Sequence, residues 1–334
     1  MSQTAYGMTY KYVSHSLNDN EKGKELIINT SNDVLEVETH IQLYKDIKGL
    51  SSYNIVKNIS KSPIDLLYVS SFYQQGFMPS NNKKAYLYEA SNSWHIEAQW
   101  HKHCFYDLGI MNGNNHTSMN RYCINNTGSW STKEYLPMMV VEDASKKACT
   151  LFQIENNGSW HLEVGDFANE VYVSISGPEF YDNQWLKTLN PKDTLTTCQA
   201  SLTFGDDFEQ TIQEITKIRR VLRKNSHDLD TLPVIYNDYM HALWDIQTTE
   251  LILPLVDAAA SVNCEEFCMD AGWFAKGSDW WSILGKWEEC PENFPGGFIK
   301  VFEYIRSKNM KSGIWFEIEA VGVDSPILEI MDDS

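Results

Sequence analysis

Between about residues 24 and 204 apolar side chains recur at every second position, and near residue 205 that period changes to one of three to four. One architecture cannot serve both halves. Leu35, Val37, Thr39, Ile41 and Leu43 are placed inward, with Glu36, Glu38, His40 and Gln42 pointing the other way, the signature of a half-buried strand. Trp160, Leu162 and Val164 repeat it against Ser159, His161 and Glu163, as do Val171, Val173 and Ile175. Short runs at 64–69, 138–141, 149–154 and 195–204 follow the same rule between turns rich in Asn, Gly, Ser and Pro. Many short strands without intervening helices predict an antiparallel β-sandwich over residues 1–205.

Residues 206–231 read as a linker helix and a polar connection. Phe208, Ile212, Ile215, Ile218 and Leu222 form one stripe, Asp206 and Asp207 stand at its start, and Arg219, Arg220, Arg223 and Lys224 crowd its end, which suits the helix dipole. From 232 to 334 the pattern becomes strand, helix, strand, helix, strand. Val234 to Tyr239, Glu266 to Asp270 and Gly313 to Glu319 are the predicted strands. Helices are expected over 251–262, with Pro254 marking where its regular part begins, and around Phe298, Val301, Phe302 and Ile305. Strands joined by crossover helices must run parallel, so this is the opening of a doubly wound sheet or a (β/α)8 barrel.

The 334 residues suffice for two domains, and an apolar fraction of 43% supplies their cores. A formal net charge of −18 repels phosphate backbones and anionic lipids, so nucleic acid and membrane surfaces are poor partners. Aromatic residues at 13% exceed what a core needs and suit stacking on sugar rings. The opening residues show no basic head followed by an apolar run, no stretch approaches the about 20 apolar residues of a membrane span, and seven cysteines include no CxxC pair. Reduced thiols in a cytoplasmic protein are expected.

In either candidate fold, ligands bind beyond the carboxyl ends of the parallel strands. Those ends carry Asn237, Asp238 and Tyr239, then Asp270, Gly272 and Trp273, then Glu317 and Glu319. Carboxylates and amides that meet hydroxyls, beside indoles that stack on C–H faces, equip a saccharide site. Each acid alone is as readily a helix cap or a solvated turn; recurrence at three strand ends favours a site. Trp280, Trp281 and Trp287 in the following loop suit a sugar platform or a local core equally. His101, His103 and Cys104 have a spacing seen in zinc sites, but no second ligand pair follows, and Cys264 and Cys268 read as buried thiols. No metal site is expected.

The runs Val-Ile-Tyr-Asn-Asp-Tyr at 234–239, Met-Asp-Ala-Gly-Trp-Phe at 269–274, Gly-Lys-Trp at 285–287, Phe-Pro-Gly-Gly at 294–297 and Gly-Ile-Trp-Phe-Glu-Ile-Glu at 313–319 resemble the α-galactosidases of glycoside hydrolase family 36. Gly-Ser-Trp-Ser-Thr-Lys-Glu-Tyr-Leu-Pro-Met at 128–138, Asn-Gly-Ser-Trp at 157–160 and Ser-Gly-Pro at 176–178 are similar to that family's N-terminal β-sandwich. The resemblance implies a retaining hydrolase of terminal α-galactosides that needs neither metal nor organic cofactor, with residues 232–334 forming the first three units of an incomplete (β/α)8 barrel. By resemblance Asp270, Asn237, Tyr239, Trp273, Trp287, Trp315 and Glu317 line the substrate, an α-galactoside oligosaccharide. The family's catalytic Asp pair follows its fourth and sixth barrel strands and is expected beyond Ser334, which implies no turnover by this chain alone. The sequence departs from the family at Ala271, where a second galactose-binding Asp is common, and at Tyr239, Lys286 and Ile318. A non-catalytic carbohydrate-binding or oligomerisation module is the rival expectation, with a second copy or a complementing C-terminal chain as partner, and poor solubility is expected of an unpaired parallel edge.

Overall fold

The computed structural model describes residues 7–77, 81–110, 119–167 and 170–331. The opening residues 1–6, read above for a leader, and residues 332–334 lie outside the described residues. The chain divides into two compact units, Met1–Arg223 and Lys224–Ser334.

The first unit is built from antiparallel sheets. Its largest sheet runs in the order Lys11–Asn20, Gly23–Ser31, Leu35–Tyr44, Gly49–Asn58, Gln199–Gly205, Ala148–Glu155, Tyr135–Asp143, Ala85–Ser93, Ile96–Cys104, with the short strand Thr194–Thr196 also pairing Gly49–Asn58. A four-stranded sheet runs in the order Ser70–Phe77, Glu170–Ser176, Trp160–Phe167, Arg121–Asn126. The two stack face to face: Leu87, Met139, Phe152 and Leu202 of the large sheet share one core with Ile124, Trp160, Val164 and Val173 of the small one. On the opposite face Met138, Val140 and Leu151 pack against Ile215 and Ile218 of the helix Phe208–Leu222. Central strands are therefore buried on both sides, which is why Met138 to Val141 read as an unbroken apolar run rather than an alternation.

Alternation proves a partial guide to burial here. In Leu35–Tyr44 the outward-assigned His40 is buried at 8% exposure and the inward-assigned Leu43 is 45% exposed. The imidazole stacks on Tyr53 with ring centroids 4.4 Å apart and lies 2.9 Å from Glu25 Oε1, so its polar edge is satisfied inside. His161 and Glu163, assigned to a solvated face, are both buried as well. The helix start is as the sequence implies: Asp207 accepts from Gln210 N at 2.9 Å, supplying one of the orphan donors of the first turn. The connection at 225–228 is partly helical, as His227–Thr231, with Ser226 as its cap.

The second unit contains three parallel strands in sequential order, Ile235–Asn237, Glu266–Met269 and Lys311–Ile314. Helices Thr249–Ser261 and Phe298–Ser307 form the two crossovers. The first helix begins earlier than Pro254 suggested, because Thr248 caps it by accepting from Leu251 N at 3.3 Å; Pro254 then lies inside it. The third strand ends at Ile314, earlier than expected; Trp315 N still donates to Met269 O at 2.8 Å, and the chain then leaves the ladder. Phe267 and Met269 of the middle strand pack with Ile252 and Val256 of one helix and Val301 and Ile305 of the other. Among the described residues no helix is long and apolar enough to cross a membrane.

Candidate functional site

Three parallel strands send their carboxyl ends to one edge of the second unit's sheet, and the polar residues named from the sequence follow those ends. Asn237 is the last residue of the first strand, and Asp270 follows the last residue of the second. Asn237 Nδ2 donates to Asp270 Oδ2 at 2.5 Å, and Asn237 Oδ1 accepts from Tyr239 N at 3.0 Å. The amide thus orients the carboxylate and fixes the turn after its own strand. Asp270 Oδ1 accepts from Ala271 N at 2.7 Å. Since each carboxylate oxygen has two lone pairs, the partly exposed Asp270 keeps acceptor capacity for a hydroxyl.

Behind this pair lies an acid whose side chain points to the interior. Asp238 Oδ1 accepts from Asp270 N at 2.8 Å and from Gln247 Nε2 at 2.9 Å, while Asp238 Oδ2 and Gln247 Oε1 are buried with no hydrogen-bond partner. Burial, chiefly, pushes Asp238 up to about 7, with the Asp270 charge adding to the rise. The sequence places Asp238 with Asn237 and Tyr239 among the polar residues of the first strand's end, but the structure encloses it completely, so it does not face the rim. The strand ends at Asn237, and the chain turns at Asp238, whose φ is −92° and ψ 9°.

Asp245 is the second residue that sequence reasoning passed over. Its Oδ1 accepts from both Tyr239 OH at 3.1 Å and Trp280 Nε1 at 3.0 Å, joining the turn after the first strand to the long loop after the second. Burial and the Asp245 carboxylate raise the Tyr239 hydroxyl above its ordinary value. Gly272 makes this arrangement possible. Its φ is +103°, and a Cβ there would meet the Asp245 carbonyl oxygen at 2.7 Å.

The aromatic side chains form one group. Trp273, 2% exposed, is packed against Phe274, Phe298 and Phe316 with ring centroids 5.1 to 5.4 Å apart, and its Nε1 donates to Trp315 O at 3.1 Å. Trp287 lies 5.9 Å from Trp273 and 6.1 Å from Trp315, and both Trp287 and Trp315 are partly exposed. Trp281 stacks on buried Trp280 at 4.1 Å and is itself more than half exposed, so its outer face is open. The loop tryptophans therefore serve in part as a local core and in part as surface. Glu317 lies three residues past the third strand, partly exposed, and its Oε1 accepts from Glu319 N at 3.3 Å. Ala271 is buried, Lys286 is exposed beside Glu288 at 3.5 Å, and Ile318 is exposed.

The structure therefore joins Asn237 to Asp270, links Tyr239 to Trp280 through Asp245, and gathers Trp273, Trp287 and Trp315. An acceptor carboxylate and partly exposed indoles are the groups that suit the edge and the face of a pyranose. His101 and His103 have ring centroids 6.3 Å apart, His103 Nε2 lies 3.2 Å from Glu89 Oε1, and Cys104 Sγ donates to Asn82 O at 3.4 Å.

Comparison with known proteins places this geometry in context. A family profile described as Melibiase matches residues 194–333. The α-galactosidase Mel36A of Lactobacillus acidophilus is 27% identical over 183 residues, covering 52% of this chain and 24% of that protein. α-Galactosidase 1 of Pediococcus pentosaceus is 32% identical over 97 residues, covering 29% and 13% respectively. Among solved structures, the family 36 α-galactosidase AgaA of Geobacillus stearothermophilus superposes with a TM-score of 0.83 at 16% identity, covering 97% of this chain and 46% of that one. An α-galactosidase from Lactobacillus brevis gives 0.79 at 18%, covering 97% and 44%. At such identities the structural likeness speaks to fold, and the chain spans about a quarter of Mel36A and just under half of the superposed structures.

Proposed function

We propose that the chain, whose residues 194–333 match the melibiase profile, belongs with the α-galactosidase-like glycoside hydrolases of family 36 and is the substrate-holding portion of a retaining hydrolase of terminal α-galactosides. In this reading the first unit is the family's N-terminal β-sandwich, and the three parallel strands open a (β/α)8 barrel whose site lies at their carboxyl ends. Asp270, oriented by Asn237, accepts hydrogen bonds from sugar hydroxyls; Tyr239 and Glu317 border it. Trp287 and Trp315 offer aromatic faces, and Trp273 beneath holds them in place. Raffinose and stachyose are bound in solved complexes of α-galactosidases from Geobacillus stearothermophilus, and α-galactoside oligosaccharides are the ligand class proposed here.

A retaining mechanism needs two carboxyl groups about 5 Å apart, one to attack the anomeric carbon and one to protonate the leaving oxygen and then activate water. Neither role is assigned to a residue of this chain. Asp238 is enclosed and committed to Gln247 and the Asp270 backbone, and Glu317 belongs to the rim. We assign the pair to barrel strands beyond the third, so residues 1–334 alone bind without turnover. All seven cysteines are free thiols, which agrees with a reducing, cytoplasmic setting.

The observation that carries this reading is the Asn237–Asp270 hydrogen bond across neighbouring strand ends, inside the segment that the melibiase profile matches. Calorimetry of the chain with galactose, melibiose and raffinose tests it, alongside an assay with a chromogenic α-galactoside. Binding heat without turnover is expected. Absence of heat with all three sugars would overturn the assignment of the rim.

A further inference from the structure

A second cluster of titratable groups lies in the first unit, on the strand Trp160–Phe167. His161 and Glu163 alternate with Trp160, Leu162 and Val164, which face the core between the sheets, so both point to that strand's other side. Glu163 is fully enclosed; its Oε1 accepts from Tyr172 OH at 2.5 Å and its Oε2 from Arg121 Nη1 at 2.5 Å. The same Oε2 lies 3.3 Å from His161 Nε2. A carboxylate held by a guanidinium only accepts, so Nε2 carries a proton, and in the neutral ring Nδ1 then holds a lone pair.

That lone pair has no hydrogen-bond partner, although His161 is 98% buried, the complement of its 2% exposure. Nδ1 lies 3.1 Å from Asp182 Oδ2 without a hydrogen bond between them. Glu179 stands beside them, buried, with Oε2 accepting from Tyr181 N at 2.8 Å and Oε1 accepting from Asp182 N. A ring nitrogen of His161 and one oxygen each from Glu179 and Asp182 all lie within 4.8 Å of one another. Two anionic oxygens converging on an imidazole lone pair repel it unless a positive charge sits among them. An imidazole whose N–H is held by one carboxylate while its other nitrogen faces further acidic oxygens is the usual arrangement around a bound transition metal.

We propose that His161, Glu179 and Asp182 bind a divalent transition-metal cation of the zinc type, with Glu163 as the positioning residue that sets the imidazole tautomer. Neutral histidine and two carboxylates balance a doubly charged ion. Nitrogen and oxygen donors of this kind take zinc at about 2.0–2.2 Å, which at tetrahedral angles places ligand atoms roughly 3.4 Å apart. Three protein ligands leave a fourth position for water. Asp182, about one-third exposed at its side chain, provides the entry side. The ion would tie the short helix Phe180–Asn183 to the strand Trp160–Phe167, a structural role independent of the sugar rim.

The test titrates chelator-stripped full chain with cobalt(II) chloride, read by visible absorption, followed by competition with zinc chloride. Saturable cobalt bands that zinc displaces are expected, together with a thermal midpoint that rises with zinc. Asp182→Asn, at a partly exposed position that leaves the buried groups in place, should weaken cobalt affinity by about tenfold or more. Asp182→His restores a ligand atom and should recover it. No cobalt uptake by the folded chain overturns the proposal, as does an affinity unchanged by Asp182→Asn. Imidazole nitrogen spectra showing His161 doubly protonated at neutral pH with zinc present overturn it too, since an ion pair with Asp182 then explains the cluster.

Discussion

Asn237 and Asp270, 33 positions apart in sequence, meet at 2.5 Å because parallel strands with a helical crossover bring their carboxyl ends side by side. That one contact converts two residues of separate motifs into an oriented acceptor.

Replacing Asp270 by Asn leaves a similar shape but removes the charge that a sugar hydroxyl would meet. A hydrogen bond to a charged group contributes about 1.5–3 kcal/mol, so melibiose affinity is expected to fall roughly 10- to 100-fold. Because Asn237 is exposed and Asp270 half-exposed, the thermal midpoint should move little. Calorimetry paired with a melting curve checks both parts.

Asp238 ties stability to pH. Its acid form is favoured in the fold, with the group pushed up to about 7 from an ordinary 3.8, mainly by burial. Below the unfolded value both states are protonated and the contribution is complete. As pH rises from about 4 to 7 the unfolded chain ionises first, and stability is lost by a few kcal/mol, then levels off. Asp238→Asn removes this component. Urea unfolding at pH 5 and pH 8 should therefore show a smaller difference in the variant than in the parent, and an equal difference would refute the enclosed-acid assignment.

Trp273 and Trp287 separate packing from binding. Truncating the buried Trp273 to Ala should cost about 3–5 kcal/mol, with the cavity beneath Phe316 and Phe298 adding to the lost transfer energy. Trp287→Ala, at a partly exposed ring, should cost less stability and more sugar affinity. Denaturant midpoints set against calorimetric affinities for the two variants will show whether the effects divide in this way.

The helix Phe208–Leu222 is docked on the large sheet by Ile215 and Ile218, both fully buried. Ile215→Ala is expected to destabilise the first unit by about 2–5 kcal/mol, and Asp207→Ala by about 0.5–2 kcal/mol through loss of the cap. Circular dichroism melts of both variants would rank them in that order.

Much of this protein was decided locally. The stripe from Phe208 to Leu222 and the Asp207 cap specify a helix because neighbours three and four apart share one face, whatever surrounds it. Three short apolar runs separated by two helical stretches can close only as a parallel sheet, and that alone puts Asn237, Asp270 and Glu317 near strand ends. Tertiary structure alone decided which polar residues are enclosed. Period two says which side of a strand a residue occupies, but not whether another layer covers that side, so His40, His161 and Glu163 read as solvated and are buried. The same limit left Asp238 reading as a rim residue and hid Asp245; their partners Gln247, Tyr239 and Trp280 are selected by how loops and crossovers pack, a property of the whole assembly of elements rather than of any one stretch of chain.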